Sequence, residues 1–132
     1  MVYMLDTNIC IYLLKLQAPK IIDRLEEQDI GSVVMSCLTL AELRHGVERQ
    51  PVQVRKSDTS ALNALLQNIP ALDFDKDAAH AFGVLASSSK LKRNQAVDNL
   101  IAAHAISLQA VLVTNNEKDF KGYPGLVVEN WA

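Results

Sequence analysis

The sequence predicts an α/β protein, a three-layer α/β/α sandwich around a mostly parallel central sheet. Three observations carry this. Short, β-branched apolar runs alternate with segments of helical periodicity along the chain. Runs that are apolar throughout, rather than alternating, belong to strands covered by helices on both faces. The right-handed crossover rule then closes a strand-helix series of this kind into one sandwich.

Residues 2–5 read as the first strand, and Thr7-Asn8 supplies a cap for a helix over 9–16. Pro19, suited to a first helical turn, opens a second helix over 20–28 with Ile21, Ile22 and Leu25 on one face, and Gly31 breaks it. Val33, Val34 and Met35 form the second strand. A helix starts at Thr39 and runs to Arg49 before Pro51 stops it, and the polar residues 50–57 read as a loop. Leu62, Leu65, Leu66 and Ile69 mark an amphipathic helix over 59–68, followed after Pro70 by a short strand over 71–74. Residues 75–88 are helical, with Ala78, Ala79, Phe82 and Leu85 inward, and 90–96 form a polar connection. The most apolar helix covers 97–108, and 110–113 is the next buried strand, ended by Thr114-Asn115-Asn116. Gly122-Tyr123-Pro124-Gly125 is a turn by composition, and 126–128 form the last strand.

At 132 residues the chain is expected to be one domain, 1–132, with a core of its own. Its 49% hydrophobic and 21% charged residues exclude a disordered chain. No apolar run approaches the roughly 20 residues of a membrane span. The N-terminus lacks a secretory pattern, so the expected location is the cytoplasm. Cys10 and Cys37 have neither CxxC nor zinc-ligand spacing and read as reduced core thiols. Thirteen basic and fifteen acidic residues give a net charge of −2, which argues against a nucleic-acid binder held by charge alone. RNA binding stays open if a cation neutralises clustered acids locally. The basic candidates for a rim are Arg44, His45 and Arg49, the run Lys90-Leu91-Lys92-Arg93, and Lys118 with Lys121; each also reads as a solvated surface.

Four acids stand at the ends of apolar elements. Asp6 follows the first strand, where an α/β sheet opens its ligand crevice, although aspartate is also a good helix cap. Glu42 lies three residues after Thr39, which fits a capping box as well as a cation ligand. Asp98 opens the most apolar helix; a helix N-terminus favours an acid by roughly 0.3–1 kcal/mol, whereas an unpaired buried carboxylate costs several kcal/mol, on the order given for buried ions. A hard divalent cation taking oxygen ligands is the alternative account of Asp98. Asp119, in Asn116-Glu117-Lys118-Asp119, reads by itself as surface charge. His45, His80 and His104 have no zinc-site spacing, and His104 reads as a hydrogen-bonded core residue. The chain contains no P-loop, GxGxxG or GxSxG, so Walker-type NTP hydrolysis, hydride transfer and serine-hydrolase chemistry lack support.

Taken in order, Met4-Leu5-Asp6-Thr7-Asn8, Thr39-Leu40-Ala41-Glu42-Leu43, Asp98-Asn99-Leu100-Ile101-Ala102-Ala103-His104-Ala105 and Val113-Thr114-Asn115-Asn116 with Asp119-Phe120 resemble the PIN-domain ribonuclease toxins of bacterial VapBC modules. The resemblance extends to Pro124-Gly125-Leu126 and Glu129-Asn130-Trp131. It implies a PIN fold in which Asp6, Glu42, Asp98 and Asp119 converge on Mg2+ or Mn2+, with Thr7, Thr114 and Asn116 in support. It further implies endonucleolytic cleavage of RNA, with tRNA, including initiator tRNA, as the substrate. Arg44, Lys92 and Arg93 are the RNA contacts that go with this reading. The implied partners are a second copy of the chain, in a homodimer, and a VapB-type antitoxin through which the complex binds operator DNA. There is one departure: members commonly carry a glycine-proline-type turn before the third acid, where this chain has Arg93-Asn94-Gln95-Ala96. A haloacid-dehalogenase-like phosphatase is a competing reading, but its DxD pattern meets Asn8 at the second acid. A non-catalytic regulatory or binding module is another.

Overall fold

Met4 and Leu5 are adjacent in the chain, fully buried, and the nuclei of two different cores. Successive side chains of a strand point to opposite faces, so an apolar pair needs cover on both sides. The computed structural model describes residues 1–88 and 91–132. Its five strands are β1 (Tyr3–Leu5), β2 (Val33–Ser36), β3 (Ala71–Leu72), β4 (Val111–Val113) and β5 (Val127–Glu129), all parallel in the order β3-β2-β1-β4-β5. Between them run α1 (Thr7–Leu14), α2 (Pro19–Glu26), α3 (Cys37–Glu48), α4 (Val52–Asn68), α5 (Lys76–Ser87), α6 (Ala96–Ser107) and α7 (Glu117–Phe120). The α/β/α expectation holds.

One core gathers Leu5, Val33, Met35 and Val113 under α1 to α4, through Ile9, Leu13, Ile21, Leu43, Val47 and Leu62. The other gathers Met4, Val34 and Leu112 under α5 and α6, through Leu85, Ile101, Ala102, Ala103 and Ala105. Each fully buried Met, Leu or Ile contributes roughly 1.5–3 kcal/mol, so removing a helix from either face would uncover the sheet at large cost. His104 lies in α6 with 1% exposure, and its Nδ1 is 2.8 Å from the Ser36 hydroxyl. Ser36 also accepts from the Leu38 N–H, and burial lowers the pKa of His104.

Three expectations change. Residues 50–57 are not a loop: α4 begins at Val52, directly after Pro51, whose carbonyl accepts from Val54 and Arg55. The proline that ends α3 therefore also starts α4. The early turns of α4 are solvated and only Leu62 is buried along it, so they carry no apolar rhythm to read. The expected strand 71–74 ends at Leu72, and α7 was unanticipated because four residues give no periodicity. Cys37 is half-buried rather than in the core; Cys10 is buried, and both are free.

The 122–125 turn is present, with Gly122 at φ 98° and Gly125 at φ 83°, which a side chain would resist. Asn94, at φ 63°, takes the left-handed conformation in the segment before α6. Asparagine tolerates it, in the segment where the resemblance leads one to expect a glycine-proline-type turn. Lys90, the first residue of the basic run and of the expected connection, lies outside the described residues. Among the described residues no helix is long and apolar enough to cross a membrane.

Candidate active site

The chain runs from β1 out to β2 and β3 on one side, and returns as β4 and β5 on the other. The carboxyl ends of β1 and β4 therefore flank the switch point of the sheet, the usual crevice of an open α/β fold. Leu5 pairs with Val113, and the Asp6 N–H donates to the Val113 carbonyl at 3.0 Å. This brings Asp6 against Thr114. The Thr114 hydroxyl donates to Asp6 Oδ2 and accepts from the Asn116 N–H at 2.9 Å.

Asp6 Oδ1 accepts from the Ile9 N–H at 3.0 Å, and its extended backbone makes it the N-cap of α1. The expectation that Thr7 and Asn8 would cap this helix is corrected: the free N–H lies three residues beyond Asp6, within reach of its carboxylate. Thr7 turns elsewhere. Its hydroxyl donates to Glu42 Oε1 at 2.5 Å, with the Thr39 hydroxyl 3.3 Å away. The capping box at Thr39-x-x-Glu42 also fails, because α3 begins at Cys37 and Ser36 is its cap. Thr39 is thus already in the first turn, and Glu42 reaches across to α1 instead.

Asp98 sits half-buried in the first turn of α6, and no hydrogen bond reaches its carboxylate among the described residues. Asp119 lies in α7, where the Asn116 amide donates to its Oδ2 and Gln95 Nε2 is 3.5 Å from its Oδ1. Together with Asp6, Glu42, Thr7 and Asn116, these two acids line one cleft of about 220 Å3. Burial first, and then the charges of Asp119, Glu42 and Asp6, raise the pKa of Asp98, opposed by Lys92. Burial, with a smaller contribution from Glu42, likewise raises that of Asp6, against the Thr114 and Ile9 hydrogen bonds.

Four carboxylates repelling one another around a small polar cleft are a donor set suited to a hard cation. Among the described residues no three of them approach closely enough to ligate one ion directly. A hard divalent cation that keeps several of its waters needs only one or two carboxylates directly.

The residues expected to touch RNA are placed differently from one another. Arg44 bonds Glu48 at 2.8 Å, with Thr59 3.5 Å away. Arg93 is exposed and forms no ion pair among the described residues. Lys92 points inward, toward Lys118, Asp119 and Tyr123. Buried Asn99 and Tyr123 also border the acids without having been singled out from sequence. Asn99 directly follows Asp98, and that adjacency was the only available signal. Burial first, then the charges of Asp98 and Asp119, push the Tyr123 hydroxyl up to about 12.

A parallel sheet whose switch point gathers acids from four separate elements defines the class: the PIN-domain family model matches residues 3–126, and the chain belongs to that family. Within it the chain is a VapC-type endoribonuclease toxin. It is 36% identical to ribonuclease VapC2 of Rickettsia felis, over 99% of this chain and 98% of the relative. It is 33% identical to the tRNA(fMet)-specific endonuclease VapC of Shigella flexneri, over 98% of each. Among solved structures, VapBC2 from Rickettsia felis bound to a promoter DNA fragment superposes with a TM-score of 0.88 at 34% identity, covering both chains fully. DNA-bound VapBC from Salmonella typhimurium gives 0.86 at 30% identity, over 100% of this chain and 99% of that one. PIN-domain nucleases are generally dependent on a divalent metal. The phosphatase reading falls with the family assignment.

Proposed function

We propose that residues 1–132 work as one PIN domain that cleaves tRNA, initiator tRNA included, with Mg2+ or Mn2+ held by Asp6, Glu42, Asp98 and Asp119. The observation that carries this is the single cleft shared by four acids from the β1 end, α3, α6 and α7. A divalent cation bound there supplies charge stabilisation for the scissile phosphate and lowers the pKa of water toward neutrality. The chain's own residues do the rest. Thr114 and the Ile9 N–H fix both oxygens of Asp6, Thr7 orients Glu42, and Asn116 orients Asp119. Arg44 and Arg93 are the candidate phosphate contacts on the surrounding surface.

The same reading assigns the biological setting: a cytoplasmic toxin that blocks translation and growth, a homodimer, and a VapB-type antitoxin that carries the complex to operator DNA. The relatives support it, since their solved complexes are VapBC assemblies and two of them hold DNA. The test incubates the protein with total tRNA, with and without EDTA, beside an Asp6→Ala, Asp98→Ala double variant. The wild type should produce discrete fragments only without chelator, and the variant none. Equal fragmentation by both proteins would remove the acids from the reaction.

A further inference from the structure

Lys92 belongs to the basic run that the sequence offers to RNA, yet its side chain turns back into the protein. Its Nζ donates to the Asp119 carbonyl at 2.7 Å and lies 3.4 Å from the Lys118 carbonyl, both backbone groups of α7. The same ammonium sits 4.8 Å from the centre of the Tyr123 ring. Its backbone is fixed as well. The Asn99 side-chain amide bonds it twice, Nδ2 donating to the Lys92 carbonyl and Oδ1 accepting from the Lys92 N–H, each at 2.9 Å. The Tyr123 hydroxyl donates to the same Oδ1 at 2.5 Å. Asn99 and Tyr123 are 6% and 4% exposed, so water does not compete for these bonds.

Asn99 follows Asp98 in α6, and Asp119 owns the carbonyl that Lys92 holds. Helix α7 has four residues, far too few to persist without tertiary support. A cation at its carbonyl end is favourable, and two of the ammonium's three donors are engaged there. The same ammonium also lies over the Tyr123 ring, a favourable place for a cation.

Resting on the reading of the acidic cleft as a cation site, we infer that Lys92 is a positioning residue: pinned by Asn99, it holds α7 against α6 and so sets the spacing of Asp119 and Asp98 at which the cleft takes its cation. It is not an RNA contact. Its charge also offsets part of the repulsion that Asp98 meets from the other acids.

The test compares wild type with Lys92→Met, Lys92→Arg and Tyr123→Phe, following the rise in Tm as Mn2+ is added and, separately, kcat and KM on tRNA. In Lys92→Met the Mn2+ midpoint should rise about 10-fold or more, as when a ligand's supporting partner is lost. At fixed, sub-saturating Mn2+ its kcat should fall in proportion, with KM changed by less than about twofold. Lys92→Arg, which keeps charge and donors, should recover most of the loss, and Tyr123→Phe should shift the midpoint the same way by less. An unchanged Mn2+ midpoint in both Lys92→Met and Tyr123→Phe overturns the inference. So does a raised KM with a salt dependence weakened by about one phosphate contact, which would make Lys92 an RNA ligand. Should Lys92→Met not fold, Tyr123→Phe decides by the same midpoint. A wild type that neither gains Tm with Mn2+ nor cuts tRNA overturns the cation-site reading itself.

Discussion

Asp6 and Asp98 line the same cleft but are held in opposite ways. Asp6 is 4% exposed and both of its oxygens are bonded, one to the first turn of α1 and one to Thr114. Asp98 is half-buried, bonded by nothing among the described residues, and faces three other acids. The first carboxylate is part of the architecture, and the fold would miss it. The second is tolerated by the fold at a cost, so its justification is chemical.

The sharpest way to break this contrast is to neutralise Asp98. Asp98→Asn should lower tRNA cleavage by more than the roughly hundredfold that loss of a ligand's partner costs. Thermal melting without cation should show Tm rising by a few degrees, because a repelled charge is gone. A fall in Tm would give Asp98 a structural role after all. Asp6→Ala should also abolish cleavage but lower Tm, since it strands the Ile9 N–H and the Thr114 hydroxyl. A lost cap and a stranded buried hydroxyl cost about 2–4 kcal/mol together, and Asp6→Asn, still able to cap, should restore part of it.

The smallest effect is in pH. Burial and neighbouring charge hold Asp98 above its ordinary 3.8, so the folded chain binds that proton more tightly than the unfolded chain does. Cation-free stability from this group is therefore present on the acid side and is lost as pH rises through the raised value. Tm measured between about pH 4 and pH 7 should fall more steeply for wild type than for Asp98→Asn, and saturating Mn2+ should reverse the difference.

Much of this was legible in the chain. Apolar runs ending in Asp6 and in Thr114 gave two parallel strands, and their pairing put both residues at one crevice. Glu42 was ambiguous because its helix starts two residues before Thr39, a boundary that Ser36 sets through a bond to Leu38. The early turns of α4 were invisible because a solvated helix has no apolar stripe. The bonds that fix Lys92 were out of reach for another reason. Sequence shows a lysine in a basic run; its place against α7 depends on contacts with residues seven to thirty-one positions away, Asn99 and Tyr123 among them.

The strand order also has a consequence for synthesis. A chain emerging N-terminus first can pair β1 with β2 and β2 with β3 while it holds only Asp6 and Glu42. One edge of β1 stays open until β4 arrives, and Asp98 and Asp119 come on the segments that bracket that strand. A chain that has paired only along that side of the sheet therefore still lacks two of the four acids that line the cleft, and the site is complete only when the segments around β4 have docked.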